Sequence, residues 1–336
     1  MGQVRERSPP EEQHVTKRKT LTTILAVGAI GALIAGCGGG REETTTSANT
    51  TTPTSDLTGT IVIDGSSTVA PFATIAAERF EEANPGVSVT VGTSGTGGGF
   101  EKFCAGETDV SNASRAIKDE EIAACTEGGI EHTEMLVSYD GLAVVANPEN
   151  DWASCLTTDQ LAKIWGPGSK VNSWQDVDAS FPDVAMKLYG PGTDSGTFDY
   201  FTDEINGEEG ASRTDYSPSE DDNVTIQGVS GEKGGLGYFG LSYYEENKDK
   251  LKLMEIDSGA GCVAPSVATV QDGTYTPLSR PLYMYISGTA AERPEVKAFA
   301  QFLADNQDEL NTEALFVPLS ADQIATLKTE VASITG

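Results

Sequence analysis

Two hydrophobic rhythms alternate along this chain. From residue 60 onward, short apolar runs bounded by glycine and polar turns alternate with segments whose apolar residues return every three or four positions. TIVI (60–63) predicts a strand that runs into DGSSTVAP. Val69, Phe72, Ile75, Ala76 and Phe80 then mark a helical face ending at ANPG (83–86), with Ser67 or Thr68 at its N-cap and Pro71 in its first turn. VSVTV (87–91) alternates as a strand does, and TSGTGGGF (93–100) leads into a helix around Phe100, Phe103 and Cys104. TDVSNASRAI (108–117) predicts a third strand ending at Ser114 and Arg115, followed by a helix at about 119–127.

MLVSYDGLAVVAN (135–147) is apolar over a length that can cross between two domains. Thr157 or Thr158 opens a helix with Leu161 and Ile164 inward. MKLYGPGTDSGTFDYFTDEI (186–205) repeats the succession of strand, Gly/Ser/Thr turn and helix, and GGLGYFG (234–240) reads as another glycine-rich turn. RPLYMYIS (280–287) is a second apolar strand able to cross back, and helices at about 291–309 and 321–333 close the chain. This alternation implies an α/β fold with mainly parallel strands. Two crossing strands divide it into a discontinuous first domain, residues 58–143 plus 284–336, and a second, 144–283. The cleft between such domains is a favoured place for a small ligand.

The first residues follow a different pattern. Lys17, Arg18 and Lys19 precede sixteen mostly apolar residues, Leu21 to Gly36, too short and small-sided for a comfortable membrane span but suited to a secretory signal. The run ends in IAGC and resembles a bacterial lipobox, which makes residues 1–36 a lipoprotein signal peptide and Cys37 the lipidated mature N-terminus. Residues 37–57 are rich in Gly, Thr and Ser and read as a flexible tether. Removing Cys37 from the five cysteines leaves an even set in an exported chain, so two disulfides are expected. Four cysteines permit three connectivities; a local Cys104–Cys125 staple and a long Cys155–Cys262 one are favoured. No close CxxC pairs exist, which argues against a metal site.

A net charge of −29 excludes a nucleic-acid partner, whose phosphates demand basic surface. It does not exclude a small anion, because local dipoles can hold one while surface charge is screened within about 8 Å at physiological salt. Three turns suit that role. DGSSTVAP, TSGTGGGF and GTDSGTFD each put hydroxyls and glycines between a strand end and a helix N-terminus, where unpaired N–H groups and the helix dipole favour anions. Arg115, after Ser114, is the natural charged partner.

Enzyme patterns fail at particular residues. After Gly97 come Gly98, Gly99 and Phe100 where a Walker A loop needs lysine, and Phe100 stands where GxGxxG needs its third glycine. GxSxG is not met around Ser195, and His132 is the one histidine after Cys37. An exported serine hydrolase is therefore the weaker alternative. No cofactor is implied.

The ordered set GSSTVAP (65–71), SGTGGG (94–99), DVSNASR (109–115), SYDGLAVV (138–145), DSGTFDYF (194–201) and GGLGYFG (234–240) resembles the phosphate-binding lipoproteins (the PstS type) of bacterial ABC phosphate importers. The resemblance implies a two-domain, type II periplasmic-binding-protein fold, with phosphate held non-covalently in a hinged cleft and delivered to an ABC permease. It implies a monomer tethered outside the cytoplasmic membrane by its lipid. By position, Ser67, Thr68 and the Val69 backbone hold phosphate from the first helix, Ser94, Gly95 and Thr96 from the second turn, and Ser195, Gly196 and Thr197 from the other domain. Best-known members carry an aspartate after the strand-end serine and an arginine shortly before the SGT turn. Here Arg115 follows Ser114, and Pro191 and Gly192 occupy the other place. Asp140 and Asp194 are candidates to accept a hydrogen bond from the proton that phosphate carries and sulfate lacks. Otherwise Asp140 orients Arg115 and Asp194 caps its helix. Sulfate or molybdate is the alternative ligand.

Overall fold

In the computed structural model residues 57–335 are described; the apolar run, Cys37 and the expected tether up to residue 56 lie outside them. The strands are β1 (Gly59–Gly65), β2 (Val87–Val91), β3 (Val110–Ala113), β4 (His132–Ala146), β5 (Cys155–Thr157), β6 (Lys187–Gly190), β7 (Ser217–Pro218), β8 (Gly235–Gly240), β9 (Lys252–Leu253), β10 (Glu255–Asp257), β11 (Cys262–Val263) and β12 (Ser279–Ser287). The helices are α1 (Ala70–Ala83), α2 (Gly95–Cys104), α3 (Asp119–Gly128), α4 (Thr158–Trp165), α5 (Trp174–Val177), α6 (Gly196–Asn206), α7 (Asp222–Gly231), α8 (Leu241–Asn247), α9 (Val267–Gln271), α10 (Pro294–Asp305), α11 (Gln307–Glu313) and α12 (Ala321–Thr335).

The large sheet runs β2-β1-β3-β12-β4-β8-β6-β7, with β9 beside β4; β11, β10 and β5 form a small one. Its flanks are parallel, β1 with β2 and β3 on one side and β6 with β8 and β7 on the other. The middle is antiparallel, because β4 and β12 are the strands that cross. From His132 to Gly141, β4 pairs with β12; from Leu142 to Ala146 it pairs with β8.

Side chains change company at the same point. Met135 and Val137 pack with Ile61, Phe72 and Phe299 in one core, whereas Leu142 to Ala146 pack with Trp165, Phe201 and Tyr238 in another. The return is similar: Leu278 belongs to the second core, while Leu282, Met284 and Ile286 belong to the first. This is the α/β architecture of a periplasmic binding protein.

Some elements differ from the sequence reading. GGLGYFG is a buried strand, β8, because its glycines permit close approach: a Cβ on Gly237 would lie 2.8 Å from the Tyr189 carbonyl oxygen. The helix expected at 291–309 begins at Pro294 and breaks at Asn306, whose side chain bonds the Phe302 carbonyl. Neither Ser67 nor Thr68 caps α1. Its N-cap is Val69, with no side-chain cap.

Helix α2 opposes its own composition. Its four glycines cost about 3–4 kcal/mol relative to alanine. Full burial of Phe100 and Phe103 contributes about 3–6 kcal/mol, enough to offset that. Cys104, its last residue, is bonded to Cys125 of α3; Cys155 of β5 is bonded to Cys262 of β11. Two of the glycines have a physical reason. Gly95 sits at φ 78°, and a Cβ on Gly99 would come within 2.5 Å of the Gly65 Cα. Around Gly97 the space is open. Gly99→Ala should therefore destabilise the fold by about 1–3 kcal/mol by forcing α2 off β1. Gly97→Ala should stabilise it by about 0.4–1 kcal/mol. Urea denaturation of the two variants checks the opposite signs.

Candidate anion-binding cleft

Strand ends and helix starts meet at one cavity of about 770 Å³. Because β1 and β3 run parallel in one flank and β6 in the other, the turns after them open toward the same place. Ser66, Ser67 and Thr68 line it before α1, and Gly95, Thr96 and Gly97 at the start of α2. Ser114 and Arg115 line it after β3, and Gly196 at the start of α6. Among the described residues, the backbone N–H groups of Ser67, Thr68 and Val69 make no intramolecular hydrogen bond. Such N–H groups at a helix start are an anion's natural partners.

Arg280, at the start of β12, ties the walls together. Its Nη2 donates to Thr68 Oγ1 at 2.8 Å and to Asp140 Oδ2 at 3.2 Å, and its Nε reaches the same carboxylate at 3.3 Å. Its guanidinium carbon lies 3.7 Å from the centre of the Tyr200 ring on α6, a cation–π contact. Asp140 is buried; burial raises its pKa and Arg280 opposes that rise. Thr68 accepts from Arg280, so its own hydroxyl proton stays free to donate. α6 comes close to this turn because it begins with glycine: a Cβ on Gly196 would be 3.0 Å from Thr68 Oγ1.

The second guanidinium is held separately. Arg115 Nη1 and Nη2 donate to the two oxygens of Glu121 at 2.8 and 2.7 Å, which holds the Arg115 pKa above its usual value. Thr96 Oγ1 accepts the Ser114 N–H at 3.2 Å and lies 3.1 Å from Ser114 Oγ, an arrangement that leaves one hydroxyl proton of the pair for a ligand. Asp199, Asp203, Glu204 and Glu209 also line the cavity and make part of its wall acidic.

A family model described as a PBP superfamily domain matches residues 45–307. The chain is 48% identical over 264 residues to the protein SphX of Synechococcus elongatus, covering 78% of each chain. It is 37% identical over 312 residues to the phosphate-binding protein PstS of Staphylococcus saprophyticus, covering 92% of this chain and 93% of that one. The chain belongs to the PstS family. Among solved structures, a possible phosphate binding protein from Planctomyces limnophilus is 46% identical, with a TM-score of 0.80 over 83% of this chain and 100% of that one.

Against this PstS background, the cleft takes in part of the set expected from sequence. Ser67, Thr68, Gly95, Thr96, Ser114, Arg115 and Gly196 line it. Val69 turns its side chain into the first core. Ser94 is engaged elsewhere: its N–H and hydroxyl both donate to Asp64 Oδ1, at 2.9 and 2.6 Å. Asp140 pairs with Arg280 and not with Arg115. Asp194 is exposed and does not cap α6; Ser195 does, accepting the Thr197 N–H at 3.2 Å. His132 packs edge-on against Phe103 and Tyr285, and burial lowers its pKa. Sequence reasoning missed Arg280, whose signal was one arginine opening an apolar crossing strand.

Asp64 fixes the TSGTGGGF turn. Burial alone would raise its pKa, but hydrogen bonds from Lys102, at 2.6 Å, and from Ser94 outweigh that and bring it to about 2. A carboxyl depressed on folding adds stability that is present above its unfolded pKa of 3.8 and is lost as pH falls toward 2. Solvent screens this partly exposed cluster, so the wild type should lose on the order of 1 kcal/mol through the group over roughly pH 4 to pH 2. Asp64→Asn should be less stable at neutral pH and lack that part of the slope. Denaturant titrations at stepped pH provide the check; parallel pH profiles for the two proteins would count against it.

Proposed function

We propose that this protein captures inorganic phosphate outside the cytoplasm and delivers it to an ABC permease without covalent chemistry. One observation carries the reading: three helix-start turns and two guanidiniums, from distant parts of the sequence, line a single cavity. The names of the relatives, PstS and possible phosphate binding protein, support it. Hydroxyls and N–H groups satisfy phosphate oxygens, and the free N–H groups of Arg115 and Arg280 add directed charge. The two disulfides suit an oxidising compartment. Among the described residues no helix is long and apolar enough to cross a membrane; the lipobox-like IAGC run ending at Cys37 supports attachment through a lipid there. The two cores act as lobes close to the expected ranges, 58–143 plus 284–336 and 144–283, with the change of core falling at Leu142 in β4 and between Leu278 and Leu282 beside β12, and they close about these crossings. The protein works as a monomer.

Selectivity against sulfate needs an acceptor for the phosphate proton. Asp199 fits better than Asp140 or Asp194, for three reasons. It lines the cavity one turn into α6, its carboxylate has no hydrogen bond or ion pair among the described residues, and burial followed by Glu209 raises its pKa against the pull of Arg280. Sulfate would set an unprotonated oxygen against that carboxylate. Isothermal titration should give heat with phosphate and far weaker binding of sulfate and molybdate. Asp199→Asn should narrow the phosphate-to-sulfate ratio by about tenfold or more, the discrimination expected of a buried hydrogen bond left unpaired. An unaltered ratio would remove Asp199 from the selectivity account, and no heat with phosphate would end the phosphate reading.

A further inference from the structure

Arg115 lies in an irregular segment between β3 and α3, so its geometry has to be imposed from outside that segment. The contacts that impose it form a chain. Arg115 Nη1 donates to the Ala116 carbonyl at 3.1 Å as well as to Glu121, and Nη2 donates to Glu121. A guanidinium has five N–H donors. After these contacts the Nε–H and one Nη2–H remain, on a single edge, which is the edge that meets two oxygens of a tetrahedral anion. Glu121 is itself fixed: its Oε2 also accepts the Lys118 N–H at 2.9 Å, which binds the carboxylate to the first turn of α3.

What holds α3 is small. The local cluster has six buried residues, Phe100, Phe103, Cys104, Ala113, Cys125 and Tyr285, and two of them are the bonded cysteines. Cys104 Sγ lies 3.5 Å from the Glu121 carbonyl oxygen, and a Cβ on Gly128 would fall 2.1 Å from the Cys104 carbonyl, so α2 and α3 are in backbone contact around the disulfide. The other end of α2 lines the cleft at Gly95, Thr96 and Gly97. Tyr285 adds a further anchor, accepting the Ile117 N–H at 3.0 Å and donating to Glu134 at 2.6 Å.

We infer that the Cys104–Cys125 disulfide and Glu121 are a positioning unit for Arg115: the bond sets α3 against α2, and Glu121 passes that placement to the guanidinium. The inference rests on phosphate capture in the cleft. The disulfide then shapes affinity at a distance, beyond its part in stability, and Cys155–Cys262 in the small sheet does not.

The test is a double-mutant cycle read by phosphate titration of the full chain. Cys104→Ala/Cys125→Ala should weaken phosphate binding by about tenfold, and by less than about twofold when Arg115→Ala is already present. Cys155→Ala/Cys262→Ala should leave affinity within about twofold. Equal losses with and without Arg115, or no loss, would overturn the inference. Should the cysteine variant fail to fold, Glu121→Ala keeps the disulfide and decides the matter. Weaker binding that depends on Arg115 supports the inference, and tighter binding, as expected if Glu121 merely competes with the anion, refutes it. Absence of phosphate binding by the wild type would overturn both this inference and the capture reading. A wild type that binds, beside an additive cycle, would overturn this inference alone.

Discussion

Arg280 joins three parts of the molecule that are far apart in sequence. Its guanidinium touches Asp140 where β4 crosses, Thr68 in the turn before α1, and the Tyr200 ring on α6. Thr68 leads into the first core, whereas Tyr200 is buried in the second. A buried carboxylate needs such a partner, since an unpaired charge away from water costs several kcal/mol. Folding β4 and β12 side by side therefore brings the arginine to the junction, where it lines the cavity with no hydrogen bond from its Nη1 among the described residues. The two helix-start turns meet on the same spot, separated by little more than the missing side chain of Gly196.

The pairing also resolves how an acidic chain accommodates an anion. Each cleft guanidinium has its own carboxylate, Glu121 for Arg115 and Asp140 for Arg280, so the pairs bring direction without much net charge. In the proposed reading, recognition falls to backbone N–H groups, hydroxyl protons and the spare edges of the arginines, all short-ranged and oriented. Most of the carboxylates behind the net charge of −29 are exposed, where salt screens them. In the same reading, Asp199 and its acidic neighbours, which line the cavity, form a repulsive boundary that a protonated oxyanion tolerates better than an unprotonated one.

What could be read in the sequence was local. The hydrophobic periods located β1, α1, β2, α3 and α4, and the repeated succession of strand, hydroxyl-rich turn and helix pointed to the anion. Sequence could not say which hydroxyls were already engaged. Ser94 looks equivalent to Thr96 until Asp64, thirty residues earlier, accepts the hydrogen bond its hydroxyl would offer a ligand. Asp140 read either as an acceptor for the phosphate proton's hydrogen bond or as a partner orienting Arg115, yet its partner lies 140 residues away on an antiparallel strand. GGLGYFG looked like a turn because glycine breaks strands by propensity, while here it lets β8 lie against β6 and α7. These are tertiary facts, and local propensity carries no record of them.

Arg280 makes the cleft one site, joining Thr68, Asp140 and Tyr200. The most direct measurement is phosphate affinity by isothermal titration in the Asp140→Asn/Arg280→Ala double variant, which leaves no orphaned buried carboxylate to confuse stability with binding. Loss of about 2–5 kcal/mol of binding free energy in a protein that still unfolds cooperatively is the predicted result. Affinity within a few tenths of a kcal/mol of wild type would contradict the account and reduce Arg280 to a structural counterion.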